Sequence, residues 1–241
     1  MTKKYVAKAT ALGAAEQKYF IIKTREEINI VKIRTEKYED YFMVESLIKR
    51  AFWNVNMPGC NEHYIAHCIR KHSDFIPELS LVLEEDKTIV ASVMYTKSYL
   101  LDEQENHKEI LTFGPLAVEP AYQRKGYGKA LLEGSFELAR DLGYDTIVIF
   151  GHPGNYVSRG FKSCKKYNVC LSDHMFPAAM LVKVLKEDAL DGRLWRYQES
   201  EAFQFDMSGY KEFDKNFEQY MPEEKPCQEE FYILSHARIF E

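Results

Sequence analysis

The chain lacks most of the features that would place it outside an ordinary folded, reducing environment. Its 241 residues include five cysteines, Cys60, Cys68, Cys164, Cys170 and Cys227, an odd number with no Cys-x-x-Cys spacing. That argues against a disulfide framework and suits a reducing compartment. No stretch approaches the ~18 continuous apolar residues of a membrane span. Near the start, Lys8 and Thr10 interrupt the apolar run that a secretion signal needs. A cytoplasmic protein is therefore the expectation. Positive charge is also scarce, because Lys+Arg 32 against Asp+Glu 37 gives 32 − 37 = −5. Broad binding to nucleic acid or to an anionic membrane needs a clustered positive field, so neither is expected as a partner.

What is present is the material of a packed core. Hydrophobic residues make up 46% and aromatics 14% of the chain, which is long enough for one large domain or one domain with appendages. Residues 1–28 read as an amphipathic or loosely attached extension, since Ala, Lys and Glu favour helix while few large apolar groups recur. A first strand is expected over Asn29 to Arg34, and helices over Tyr38 to Phe52 and Asn61 to Lys71. Strands over Leu79 to Leu83 and Ile89 to Tyr95 flank a Glu-Glu-Asp-Lys turn. Another strand covers Glu109 to Val118 and a helix Gly126 to Leu142, ended by Gly143. Thr146 to Phe150 and Met180 to Leu185 read as further strands. The order implies a mixed α/β sheet with helices on both faces over residues 29–190. Residues 191–241, aromatic, acidic and interrupted by Pro222 and Pro226, read as an appendage packed on that domain.

The most informative segment runs Leu116-Ala-Val-Glu-Pro-Ala-Tyr-Gln-Arg-Lys-Gly-Tyr-Gly-Lys-Ala-Leu-Leu132. An apolar strand enters a turn and then a helix opened by Gly126 and Gly128. Free N–H groups and the positive end of the helix dipole suit a phosphate there, and the glycines let a ligand approach the backbone. Arg124, Lys125 and Lys129 add cations matched to a diphosphate. Leu131, Leu132, Phe136, Leu138, Ala139 and Leu142 form the helix's apolar face. A basic helix start that binds nothing stays open on these residues alone. A nucleotide-triphosphate loop fails at Gln123, where glycine is needed, and at Ala130, where Ser or Thr is needed. A dinucleotide fingerprint fails at Leu131.

Gln123-Arg-Lys-Gly-Tyr-Gly128 resembles the Q/R-x-x-G-x-G/A signature of the GNAT N-acetyltransferase superfamily, with Gly143-Tyr and Gly160-Phe161 following in that superfamily's order. Ile76 to Val82, Gly114 to Val118 and Gly151-His-Pro153 resemble a bacterial branch of predicted acetyltransferases. The resemblance implies a GNAT-like, mostly antiparallel sheet and an enzyme moving an acetyl group from acetyl-CoA to an amine, either a small molecule or a protein terminus. It leaves room for a homodimer. It further implies that the backbone of Leu116, Ala117 and Val118 pairs with the pantetheine arm and that the amides of Arg124, Lys125, Gly126, Tyr127, Gly128 and Lys129 hold the pyrophosphate. Tyr156, five residues before Phe161, matches the tyrosine that protonates the leaving thiolate. The strand position that carries a glutamate in some members is Thr112 here, and Gly154 to Arg159 replaces a more aromatic run. A non-catalytic acyl-CoA sensor is the alternative that the missing glutamate leaves standing. Glu78 and Glu119 read as solvated strand-end charges. His63 and His67 share one helical face while Cys68 and His72 share another, so the two pairs diverge and no metal is expected.

Overall fold

The longest apolar stretches become the middle of one sheet. The computed structural model describes residues 7–8, 18–23 and 28–240, with side chains from Ile30 onward. In chain order these form β1 (Ala7–Lys8), β2 (Lys18–Lys23), β3 (Ile28–Thr35), α1 (Tyr41–Phe52) and α2 (Glu62–Ile69). Next come β4 (Leu81–Glu85), β5 (Thr88–Leu101), β6 (His107–Val118), α3 (Tyr127–Asp141) and β7 (Thr146–Phe150). The chain continues with α4 (Pro153–Tyr156), β8 (Lys162–Ser163), β9 (Val169–Cys170), β10 (Met180–Val184), β11 (Trp195–Gln198), α5 (Tyr210–Asp214) and α6 (Pro226–His236). The extension expected over residues 1–28 lies largely outside the described residues, and its described pieces are strands, β1 paired with β2 and β2 with β3.

The strand order is β1-β2-β3-β4-β5-β6-β7-β10-β8, with β11 joined to β5 and β9 to β11. Among the described residues, β6–β7 and β9–β11 are the parallel pairs. The fold is the mixed, mostly antiparallel sheet with helices on both faces. β5 is buried through its centre because both faces are covered. On one face α3 presents Leu131, Phe136 and Ala139 to Leu111, Tyr95 and Ile147, and Tyr95 Oη meets Ser135 Oγ at 2.7 Å. Each buried Leu, Ile or Phe side chain among these contributes about 1.5–3 kcal/mol. Leu142 is exposed instead of joining that face, because the helix ends before it at Asp141. On the other face α1 and α2 cover Val82, Met94 and Ala117.

Two departures from the sequence reading follow from long-range packing. β5 is extended to Leu101 because β11, from the stretch expected as an appendage, pairs with Tyr99, Leu100 and Leu101. Trp195 and Tyr197 alternate inward and complete a third core cluster with Ile110, Val148 and Met180. No helix among the described residues is long and apolar enough to cross a membrane.

Candidate functional site

β6 and β7 run parallel but share a single register position, Leu111 with Ile147. Beyond it β6 continues to Val118 paired with β5 alone, so the two strands part and open a notch towards their C-terminal ends. The β5–β6 register shifts between Val93–Leu116 and Tyr95–Phe113, setting Gly114 and Pro115 opposite Met94. Such a bulge bends the strand and re-aims its peptide groups. Leu116 and Val118 are half-buried and Ala117 is buried, so this segment offers a ligand in the notch its backbone rather than large side chains.

The turn that follows closes through Gln123 Nε2, which donates to the Val118 carbonyl at 3.1 Å. Arg124 at φ 60° and Gly126 at φ 104° both lie in the left-handed region, an arrangement that turns successive N–H groups into a concavity suited to an anion. At Gly126, which caps α3, this conformation favours glycine. Gly128 has a second constraint: a Cβ built there would stand 3.2 Å from Val118 Cγ2, so its smallness also lets α3 sit against the end of β6. Arg124 and Lys125 are exposed. Arg124 makes no ion pair among the described residues, and Lys125 Nζ stands 5.8 Å from the centre of the Tyr122 ring. Lys129 lies 3.5 Å from Glu133. The side chain of Tyr127 is buried and its hydroxyl donates to Glu85 at 2.5 Å, which leaves the Tyr127 backbone amide as its contribution to the turn.

Tyr156 lies across the notch. Its ring is 5.8 Å from that of Phe113 on β6 and packs on Gly151, the residue after β7, where a Cβ would come 2.5 Å from Tyr156 Cε2. Gly151 is therefore what lets the ring lie there, a role invisible until the ring is placed. The hydroxyl makes no hydrogen bond among the described residues. Desolvation pushes its pKa up to about 12, with the Arg159 guanidinium opposing, so the phenol is held protonated.

Thr112 points to the opposite face, buried, with Oγ1 2.8 Å from the Tyr197 hydroxyl. Glu119 is held by Arg50 at 2.8 Å, and Glu78 is exposed. His63 and His67 do share a face, both against the Phe213 ring, but His63 Nε2 is 2.9 Å from Asp214 and His67 Nδ1 3.2 Å from Glu45. Among the described residues no group of three His, Cys, Asp or Glu side chains is arranged to hold a metal ion.

Similarity to known proteins agrees with this geometry. The chain is 26% identical over 160 residues to the uncharacterized N-acetyltransferase YhbS of Escherichia coli, covering 66% of this chain and 90% of the relative. It is 31% identical over 88 residues to the uncharacterized N-acetyltransferase YjhQ of Escherichia coli, where the match covers 36% of this chain and about half, 48%, of the relative. Among solved structures, YhbS in complex with CoA superimposes with a TM-score of 0.62 at 22% identity, covering 76% of this chain and 96% of that one. A GNAT family acetyltransferase from Brucella melitensis in complex with acetyl-CoA gives 0.56 at 25% identity, covering 72% and 97%. Residues 41–162, from the start of α1 to just past Phe161, match the Acetyltransferase (GNAT) family as a unit. With the parted strands, the glycine turn and the tyrosine across the notch all falling inside that span, the chain belongs to the GNAT family of acetyltransferases.

Proposed function

We propose that this protein transfers an acetyl group from acetyl-CoA directly to the nitrogen of an amine. The observation that carries the reading is Tyr156: a protonated phenol whose hydroxyl makes no hydrogen bond among the described residues, its ring packed between Phe113 of β6 and Gly151 at the end of β7. The residues around it fit the co-substrate. The edge of β6 that faces away from β5 over Leu116 to Val118 supplies peptide groups for a pantetheine arm, and the turn from Arg124 to Lys129 supplies amides and charge for a diphosphate. A ligand so placed brings its thioester to the bulge at Gly114–Pro115, and the Tyr156 hydroxyl protonates the thiolate as it leaves. General acid catalysis of this kind is worth roughly 10²- to 10⁴-fold.

A second reading, an acyl-CoA sensor, is favoured by one observation: Thr112 stands where a carboxylate would serve as base, and its hydroxyl is engaged with Tyr197. One experiment separates the two. The protein is incubated with acetyl-CoA and a panel of amines, and CoA release and product mass are followed. Amine-dependent release with an acetylated product supports the enzyme, whereas tight acetyl-CoA binding without release across the panel supports the sensor.

A further inference from the structure

The sheet face turned away from α3 is covered by two clusters. α1 and α2 close over Met94 and Ala117, and β11 brings Trp195 and Tyr197 over Ile110 and Val148. Gly114 lies between them. It stands opposite Met94 in the β5–β6 bulge and two residues beyond Thr112, whose Oγ1 is 2.8 Å from the Tyr197 hydroxyl. A Cβ built on Gly114 would meet no atom within 4 Å, although the residue is half-buried and its φ lies outside the left-handed region. Neither backbone conformation nor packing therefore requires glycine there. What its smallness provides is room, at the point where β6 parts from β7.

Phe150 forms the other lip of that opening. Three steps along each parallel strand from the Leu111–Ile147 pair lead to Gly114 on β6 and to Phe150 on β7. Strands that stayed paired would hold two such residues about 4.8 Å apart. Here the pairing has ended, and the notch lies between them. Strand alternation puts Phe150 with Val148 on the face away from α3, and its ring does lie on that side, 5.8 Å from the ring of Tyr197. The residues before it in β7 are buried, whereas Phe150 is 46% exposed. Its chain neighbour is Gly151, the seat of the Tyr156 ring, where a Cβ would come 2.5 Å from Tyr156 Cε2. One residue thus separates the exposed ring from the contact that places Tyr156.

A large aromatic ring left open on one lip, a second ring against it and an unfilled side-chain position on the facing lip suit a flat apolar group. Building on the acetyl-transfer reading above, we propose that Phe150, with Tyr197 beside it and Gly114 opposite, binds an aromatic ring of the acceptor. The acceptor is thus a primary amine carrying an aryl group on a short chain. Such a chain brings the nitrogen to the Gly114–Pro115 bulge from the β11 side of the sheet. Tyr156 packs with Phe113 on the α3 side. The attacking amine and the proton donor therefore work from opposite sides of the notch and do not compete for the same space.

The test uses the full chain and compares wild type with Phe150→Ala and Phe150→Trp, with acetyl-CoA affinity by calorimetry as the check that each variant is folded. The probes are phenethylamine and ethylamine, which share the amine and differ by the ring. Wild type is expected to favour phenethylamine in kcat/KM by about tenfold or more. Phe150→Ala should reduce that ratio by about tenfold, and Phe150→Trp, which keeps an aromatic face, should retain most of it. Should Phe150→Ala fail to fold, Phe150→Leu removes the aromatic face while keeping apolar bulk and carries the same expectation. A second readout needs no turnover: phenethylamine titrated into the protein saturated with CoA should bind wild type about tenfold more tightly than Phe150→Ala. A wild type without preference for phenethylamine, or a ratio that the alanine variant leaves within about threefold, overturns the proposal while the acetyl-transfer reading stands. Phe150-dependent binding of phenethylamine without turnover of either amine overturns the acetyl-transfer reading and supports the ring site. Neither binding nor turnover overturns both.

Discussion

Two places in this molecule hold desolvated reactive side chains, and they differ in the partners those side chains have. Beneath the C-terminal segment, Cys60 Sγ lies 3.7 Å from His63 Nδ1, and His63 Nε2 lies 2.9 Å from Asp214, the order of a nucleophile, a base and an orienting carboxylate. Across the β6–β7 notch stands Tyr156, whose hydroxyl has no hydrogen-bond partner among the described residues. In the first cluster burial pushes the Cys60 thiol up to about 12 and holds the His63 imidazole down near about 4, where Asp214 only partly opposes it. The thiol and the imidazole are both neutral, dry and enclosed by Tyr210, Phe213 and Phe217. Lys49 Nζ, almost fully buried, completes the cluster at 2.6 Å from Asp214. A cysteine beside a histidine is a nucleophile only when the thiolate forms and a substrate reaches it. Neither condition holds, so this cluster fastens α5 onto α1 and α2. The first cluster has every polar partner supplied by the chain and maintains structure, whereas the desolvated Tyr156 hydroxyl, without a hydrogen-bond partner among the described residues, is the group proposed above to meet a substrate.

The largest expected effect breaks the fastening. Asp214→Ala leaves Lys49 buried without its counter-charge and His63 Nε2 without its hydrogen-bond partner, and removing one partner of a buried pair costs about 3–5 kcal/mol. Urea unfolding should show that loss, while acetyl-CoA affinity in the folded variant stays within a few-fold of wild type. A loss of affinity matching the loss of stability would join the two regions that the account separates.

A smaller effect comes from pH. The folded-state pKa of His63 is depressed to about 4 from 6.5, so the unfolded chain binds the proton first. The stability His63 confers is present above the usual imidazole value and is lost as pH falls from 6.5 towards 4. That amounts to about 2 kcal/mol at pH 5. Comparing urea unfolding of wild type and His63→Gln at pH 7 and pH 5 should show a shallower fall in the variant, and identical falls would remove His63 from the cause.

The smallest of the three probes the other region. Gly128→Val brings a side chain against Val118 and the turn proposed to hold the diphosphate and should weaken acetyl-CoA binding by about tenfold or more, equivalent to ~1.4 kcal/mol. Calorimetry on the folded variant checks it, and unchanged affinity would remove the turn from the binding site.

The division between the regions also marks what the sequence made legible. The Gln123 to Gly128 turn could be read because its geometry is local: a left-handed residue at the start of a helix calls for glycine, and the helix period that follows fixes α3. The central strands showed themselves as apolar runs for the same reason. β11 did not, since its four residues become a strand only by pairing with β5, and nothing in Trp-Arg-Tyr-Gln announces that partner. The His63–Asp214 contact spans 151 positions, so the helical spacing of His63 and His67 was visible but their partners were not. Gly151 was legible as part of a motif, while its work of admitting the Tyr156 ring depends on where α4 lies relative to β6.

The central claim is that the unpartnered phenol across the notch acts in the chemistry and not in the packing. Tyr156→Phe keeps the ring, its contacts with Phe113 and Phe161 and its seat on Gly151, and removes only the hydroxyl. The measurement is kcat on the best amine found, beside acetyl-CoA affinity, for wild type and variant. The account predicts that kcat falls by roughly 10²- to 10⁴-fold while affinity for acetyl-CoA is nearly intact. A fall smaller than about threefold, in a variant that binds acetyl-CoA as wild type does, would contradict it and assign the proton to water or to another side chain.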